Sequence, residues 1–489
     1  MGQTIYWYDL ETFGRNPGWD RIAQFAGIRT DENFQILEEP LVLYCRIPPD
    51  YLPDPRSCLI TGITPQKTLE EGLSEYEFLK RIDQEFSRPG TCVAGYNSIR
   101  FDDEFIRNLY YRNFRDPYLR EYSAGNSRWD LIELVRAAHD LRPEGMEWPR
   151  AGEEDRPSFR LEDLTAANGI GHAGAHDALA DVKATIALAE KLHRAQPKLF
   201  RYAFRIRKKE EIRRQVDLFA REPFIHTSGM YTSSRGCTTL VCPLTVDPSN
   251  RNCLLCYDLR EDPTPLLELP VEEIRERIFT PRDRLAPGKN RIPITGIHLN
   301  QAPFVAPLST MEPDRAAALG IDWELCLARG KLLAKAGELT QKILKVYQGD
   351  PPAGSPDPDL QIYSGGFFPD EDRDGFREIH GLMETGETGR LKEMNLSFRD
   401  PRIPEMLRRF RGRNLPETLD KAETAKWKSY CAGRILFPPA EDALDMGKYR
   451  KVIATLRESR SLAPAQKVTL KALEEYGDTL QSEVLDYHE

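Results

Sequence analysis

"YWYDLETFG", residues 6–14, decides how this chain is read. Tyr6, Trp7, Tyr8 and Leu10 are core-strand residues, yet Asp9 and Glu11 stand inside the run. A strand alternates its faces with period two, so the two carboxylates project to one side. Their Cα atoms lie roughly 6.6 Å apart, at about 3.3 Å rise per residue. Two anions on one face of an apolar strand repel each other and resist the loss of water. A bound cation would remove both penalties. Alone, the pair reads more simply as a strand end in solvent, so the rest of the chain has to decide.

Outward from this stretch, "TIYWYDL", "IAQFAGIRT" and "QILEEPLVLYCRI" read as three strands, the last two joined by the turn "DENF" as a meander. "SEYEFLKRIDQEF" places Tyr76, Phe78, Leu79, Ile82 and Phe86 at helical spacing, with Ser74 as N-cap. "TCVAGYN" is a short buried strand leading into the helix "DDEFIRNLYYRNF". Helical patterns follow at "RWDLIELVRAAHDL", "RLEDLTAANGI" and "AHDALADVKATIALAEKLHRA". The expectation is α/β: a mixed sheet flanked by helices over about the first 195 residues.

From about Tyr202 the texture changes. The basic segment "RYAFRIRKKEEIRRQ" precedes short strand-like runs, "TTLVCPLTV", "NCLLCYDL" and "RIPITGIHL", punctuated by proline and turn residues. "PPAGSPDPD", 351–359, reads as a linker, and amphipathic helix patterns follow it. The divisions are therefore 1–200, 201–352 and 353–489.

The bulk numbers narrow the class. With 489 residues, 40% hydrophobic and 30% charged, the chain is a multidomain globular protein. No apolar run approaches the roughly 20 residues of a membrane span, and the N-terminus has no signal-peptide pattern. Nine scattered cysteines fit a reducing cytoplasm. A net charge of −9 excludes nucleic-acid binding by overall charge, though not a local basic groove.

Two further stretches complete the opening pair. "GYNSIRFDDEF" sets Asp102 and Asp103 where a strand gives way to a helix, and "GAHDALADV" carries His176 and, five residues on, Asp181. On an ideal helix those two would stand roughly 140° apart, so His176 belongs to the loop or first turn and Asp181 to the helix proper. Four carboxylates and a histidine meet the needs of two-metal phosphodiester hydrolysis. Hard divalent ions take oxygen ligands, two ions about 3.5–4 Å apart serve the attacking and leaving oxygens, and a histidine titrates near working pH.

The order D-x-E, then the second-motif Asp, then H-x₄-D resembles the DEDDh family of 3′→5′ exonucleases. Within it, the stretches "LITGITPQ", "YYRNFRDPY", "NSRWDL", "LRPEG", "PSFRLEDLTAANGI" and "YSGGFFPDEDR" are similar to bacterial exonucleases of the exonuclease I family. The resemblance covers most of the chain. It implies an RNase H-like exonuclease domain, an SH3-like β-rich domain and a helical C-terminal domain around a groove for single-stranded DNA. It implies Mg²⁺-dependent release of nucleoside 5′-monophosphates, in DNA repair and recombination, by a cytoplasmic monomer, with Mn²⁺ able to substitute. Asp9, Glu11, Asp102 and Asp181 would be the metal carboxylates, Asp102 directly or through a water, and His176 the general base. Asp103 would be a helix-start residue favoured by the dipole.

Interleaved cations and aromatics suggest strand contacts: Arg160 and Phe159, Arg107 and Tyr118, and Arg136. Each reads almost as well as an ordinary helix face with arginines in water. The basic segments Arg207–Lys209 and Arg408–Arg413, interrupted by Tyr202 and Phe410, extend the candidate track. The resemblance also implies docking of the acidic, hydrophobic-ended tail of a single-stranded DNA-binding protein, with Arg142 and Tyr202 as its contacts. Cys253 and Cys256, with Cys237 and Cys242 upstream, invite a zinc reading. "NCLLCYDL" is equally a strand with cysteines at its small apolar positions, and that structural reading is preferred. Two other readings remain: a DEDDh enzyme acting on RNA 3′ ends, and a polymerase proofreading subunit. The long region after residue 200 weighs against the second.

Overall fold

The strand Thr4–Thr12 (β1) is the centre of a five-stranded sheet. It pairs antiparallel with Ile22–Thr30 (β2) and parallel with Thr91–Gly95 (β4); Leu41–Tyr44 (β3) and Ser127–Asp130 (β5) form the edges, giving the order β3-β2-β1-β4-β5. This computed structural model describes residues 3–152, 156–172, 174, 176–231, 235–349, 354–392, 398–438, 443–459 and 462–485. Even-numbered residues of β1, Tyr6, Tyr8 and Leu10, face one core with Phe25, Phe78 and Phe86. Ile5 and Trp7 face the other, where Val182 and Ile186 pack. The period-two rule therefore sends Asp9 and Glu11 toward the helix Ala178–Ala195.

Helices of this part include Glu75–Phe86 (α1), Asp102–Arg112 (α2), Leu131–Leu141 (α3), Leu161–Ala167 (α4) and Ala178–Ala195 (α5). Ser74 caps α1 by accepting the Glu77 N–H. Two expectations shift. The third strand shrinks to Leu41–Tyr44, since Pro40 offers no N–H to the ladder, leaving an isolated bridge between Thr30 and Ile36. "RWD", 128–130, belongs to strand β5 rather than helix. The Asp130 carboxylate accepts the N–H groups of Asn97, Ile99 and Ile132, tying the two parallel strand ends to the start of α3.

A second, all-antiparallel sheet follows: Phe224–Thr227 (β6), Thr238–Asp247 (β7), Asn250–Asp258 (β8), Ile294–His298 (β9) and Phe304–Ala306 (β10), in the order β9-β8-β7-β6-β10. All nine cysteines are buried free thiols, Cys253 and Cys256 within β8. Beyond residue 357 the described chain is helical, including Asp370–Thr385, Ile403–Asn414, Lys421–Leu436, Met446–Arg457 and Pro464–Leu485. No helix among the described residues is long and apolar enough to cross a membrane.

The cores cross the divisions drawn from sequence. One runs from Trp7 and Ile28 through to Ile225 and Leu240 of the second sheet. Another joins Phe13, Trp19, Tyr51 and Ile63 to Ile435, Tyr449 and Leu473, and a third joins Tyr76, Tyr111 and Phe114 to Phe376, Ile403 and Phe410.

The 351–359 linker is a correction. Residues 351–353 lie outside the described residues, but Asp357 and Asp359 are buried. Asp357 pairs with Arg409 and, at 3.0 Å, with Arg434; Asp359 pairs with Arg413 at 2.6 Å. Asp50, from the loop after β3, joins the same knot through Arg413 at 2.7 Å. A cut here would strip ion pairs and two shared cores from the first part, so it does not separate independent modules.

Candidate active site

Asp9 and Glu11 leave β1 on the same face, and Asp181 meets them from the first turn of α5. Ligand oxygens of the three lie within 4.8 Å of one another. Local chemistry fixes this meeting. Asp177 caps α5 by accepting the N–H groups of Leu179 and Ala180. Gln24, opposite Glu11 in the β1–β2 register, accepts the Ala178 N–H and donates to Asp177, tying the helix start to the sheet.

Among the described residues, no arginine or lysine pairs with this cluster. Burial, then Asp102, Glu11 and Asp181, pushes the Asp9 carboxyl well above its usual range. Burial and the charge of Asp181 push Glu11 up to about 8. Asp102 stands outside the trio; burial and its neighbour Asp103 raise it as well. Asp103 goes the other way. Burial alone would raise it, but Arg128, at 2.8 Å, and Arg120, at 2.7 Å, hold it well below the usual carboxylate range, and Tyr8 Oη donates to it. Asp103 is thus an internal ion-pair partner rather than only a helix-start residue, whereas Asp102 has no cationic partner among the described residues.

His176 sits in the turn before α5, in the left-handed region at φ 69°, a conformation that non-glycine residues adopt at local cost. Its Nε2 lies 3.6 Å from Glu162 Oε1. The sequence reading missed His172, whose Nε2 bonds to Asp181 Oδ1 while Nδ1 lies 3.2 Å from Thr165 Oγ1 on α4. The signal was available: "GHAGAH" sets two histidines four residues apart just before the third acidic motif.

A cavity of about 630 Å³ opens beside the trio, lined by Asp9, Asp181, Tyr96, Phe159, Arg136 and Arg160, and by Gly229, Tyr231 and Cys237 of the second sheet's region. Three expected strand contacts, Arg136, Phe159 and Arg160, therefore meet at the carboxylates. Arg107 does not. It is buried and its guanidinium is bound to Glu104 and Glu121, both at 2.8 Å, so a direct phosphate contact does not follow from its placement. Tyr118 lies against Arg107 and, edge-on at 6.1 Å, against the exposed Phe367.

The basic track is also redrawn. Arg409, Arg411 and Arg413 are buried in ion pairs, Arg408 bonds Glu405, and Phe410 is core. Arg207 is buried against Ser127 Oγ. Arg142, at the end of α3, bonds Glu312 at 3.1 Å. Tyr202 donates to the Val305 carbonyl at 2.9 Å and is half-buried.

Three family models match the chain: Exonuclease over residues 6–189, Exonuclease I SH3-like domain over 207–349 and Exonuclease I C-terminal domain over 356–480. The chain is similar to exodeoxyribonuclease I of Escherichia coli, 44% identical over 87% of this chain and 88% of that protein. Among solved structures it resembles exonuclease I from Methylocaldum szegediense, with a TM-score of 0.92 and 45% identity over 98% of this chain and 99% of that one. It also resembles the zinc-bound form of the E. coli exonuclease I complex with single-stranded DNA, with a TM-score of 0.91 and 40% identity over 98% and 100% of the chains. A structure of SSB/exonuclease I in complex with the inhibitor CFAM matches at a TM-score of 0.88 and 39% identity, over 98% and 100%.

Proposed function

The chain belongs to the exonuclease I family, and from that premise we propose that it is a Mg²⁺-dependent 3′→5′ exodeoxyribonuclease releasing nucleoside 5′-monophosphates from single-stranded DNA, in repair and recombination. The observation that carries the reading is the crowded carboxylate trio, which has no arginine or lysine partner among the described residues and opens onto a cavity that also presents two arginines. Its three parts, 1–200, 201–352 and 353–489, are exonuclease, SH3-like and helical domains.

Asp9, Glu11 and Asp181 would hold the metal ions, with Asp102 behind them. An all-oxygen, thiolate-free donor set suits Mg²⁺, with Mn²⁺ as a substitute, although a zinc-bound form exists for the E. coli relative. When bound, two such ions activate a water and stabilise the leaving oxygen. His176 takes the proton of the attacking water at Nε2, and Arg160 and Arg136 bind phosphates of the strand while Phe159 packs against a base. His172 holds one oxygen of Asp181 and leaves the other to the metal.

The nine buried free thiols suit a reducing cytoplasm, where the enzyme acts as a monomer. The acidic tail of a single-stranded DNA-binding protein docks beside Arg142 and Tyr202. A tail peptide titrated into the enzyme should give calorimetric heat, and its absence would count against that contact. The activity itself is tested with end-labelled single strands. Mononucleotides should appear from the 3′ end in Mg²⁺ and not in chelator; product without metal, or shortening from the 5′ end, would overturn the reading.

A further inference from the structure

Arg136 reaches the cavity from α3, yet what fixes its guanidinium comes from two directions. From within α3, the buried Glu133 accepts from Arg136 Nη1 at 3.1 Å, and the same oxygen lies 3.6 Å from Arg100 Nη2. From outside, the turn after β6 lays Gly229 flat on the guanidinium. A Cβ built there would come within 2.6 Å of Cζ and within 2.8 Å of both terminal nitrogens. Next to it, Ser228 Oγ accepts from Arg100 Nη2 at 3.4 Å. Both regions of the chain thus converge on one cationic fork.

We infer that Glu133 and Gly229 are positioning residues that seat Arg136 for the phosphate of the incoming strand, making the SH3-like region a determinant of strand affinity at the active site. The inference rests on the reading of Arg136 as a strand contact. Physically, a guanidinium on a flexible stem loses rotamer freedom when it grips a phosphate, and a preset orientation removes much of that loss. Glu133 engages Nη1, while Arg136 lines the cavity beside Asp9 and Asp181. Gly229 provides a flat backbone wall where any side chain would stand. Its φ is not in the left-handed region, so alanine strains no backbone there. The atoms an alanine methyl would meet are the far end of Arg136, so the guanidinium moves and the fold does not.

That makes Gly229→Ala a perturbation of Arg136 applied from another region of the protein. Full-length enzyme in Mg²⁺ is assayed on a short single-stranded oligodeoxynucleotide for kcat and KM separately. Gly229→Ala should raise KM about tenfold, the factor of one lost charge-assisted hydrogen bond, with kcat at saturating strand unchanged. Glu133→Gln, with a melting temperature near wild type, should move KM in the same direction. Placed in an Arg136→Ala background, Gly229→Ala should add nothing, because the group it displaces is gone. If Arg136→Ala raises KM and Gly229→Ala leaves it at the wild-type value, the seat is wrong and the Arg136 contact stands. If Arg136→Ala itself leaves KM unchanged, the contact is wrong and the seat falls with it. A loss of kcat alone in Gly229→Ala would also overturn the inference.

Discussion

The molecule buries two groups of aspartates and treats them oppositely. In the knot between the first and last parts, Asp50, Asp357 and Asp359 meet Arg409, Arg413 and Arg434. Burial alone would raise Asp50 and Asp359, yet those arginines hold both well below the usual carboxylate range. At the site, Asp9, Glu11, Asp102 and Asp181 pair with no arginine among the described residues; burial with neighbouring carboxylates raises the first three, and burial raises Asp181 although His172 and His176 draw it down. Asp102 and Asp103 show the same division between adjacent residues, one unpaired and one held by Arg120 and Arg128. Buried carboxylates that build the fold bring their own cations; those proposed for chemistry leave the place open.

The largest effect that could break this contrast is on turnover. Asp9→Ala or Asp181→Ala should reduce nuclease activity by orders of magnitude, and metal-free Asp9→Ala should melt no lower than wild type, because repulsion is relieved and no ion pair of Asp9 is lost. Wild-type activity in either variant would remove the site assignment. Next is stability. Asp359→Ala should lower unfolding free energy by about 3–5 kcal/mol in denaturant titrations, since Arg413 then keeps only Asp50 and Arg409 loses its 3.3 Å contact, leaving the buried knot with excess positive charge. A change under about 1 kcal/mol would mean the knot is not what joins the parts.

His172 tests the boundary between the two behaviours, because it is a fold-like partner attached to a site carboxylate. His172→Ala should weaken metal binding by about 10–100-fold, with His172→Gln recovering part of it. Unchanged affinity would make the contact incidental.

The smallest effect is the pH dependence of stability. Glu11 rises from an ordinary 4.5 to about 8 in the folded protein, so the folded state binds more protons than the unfolded chain between those values. Metal-free stability should therefore fall as pH rises across that window. The knot works in the other sense: its depressed carboxyls stabilise above their ordinary 3.8, and that stability is lost as acid protonates them. Thermal melts from acid to neutral pH should show both limbs.

The site was legible in the sequence because its geometry follows from short-range rules. Period two puts Asp9 beside Glu11, and H-x₄-D spacing puts His176 in a turn and Asp181 on a helix. The knot was not legible. "PPAGSPDPD" has a linker's composition, and nothing within it reveals that Asp357 and Asp359 meet arginines some fifty to eighty residues away. "LRRFRGRN" fails for the same reason: a run of arginines looks alike whether it faces DNA or three buried aspartates. Arg107 shows it on a single helix, where the spacing allowed a strand contact and Glu104 with Glu121 took the guanidinium.

The proposal that the site carboxylates go without an arginine or lysine partner so as to receive divalent metal is tested most directly by calorimetric Mg²⁺ titration in buffers of different ionisation enthalpy. At about pH 6.5, below the raised value of Glu11, binding should expel protons from the carboxyls. Fewer protons should leave above about pH 8, and Asp9→Asn should lose most of the heat. Mg²⁺ binding with no proton release at either pH, or with equal affinity in Asp9→Asn, would contradict the account.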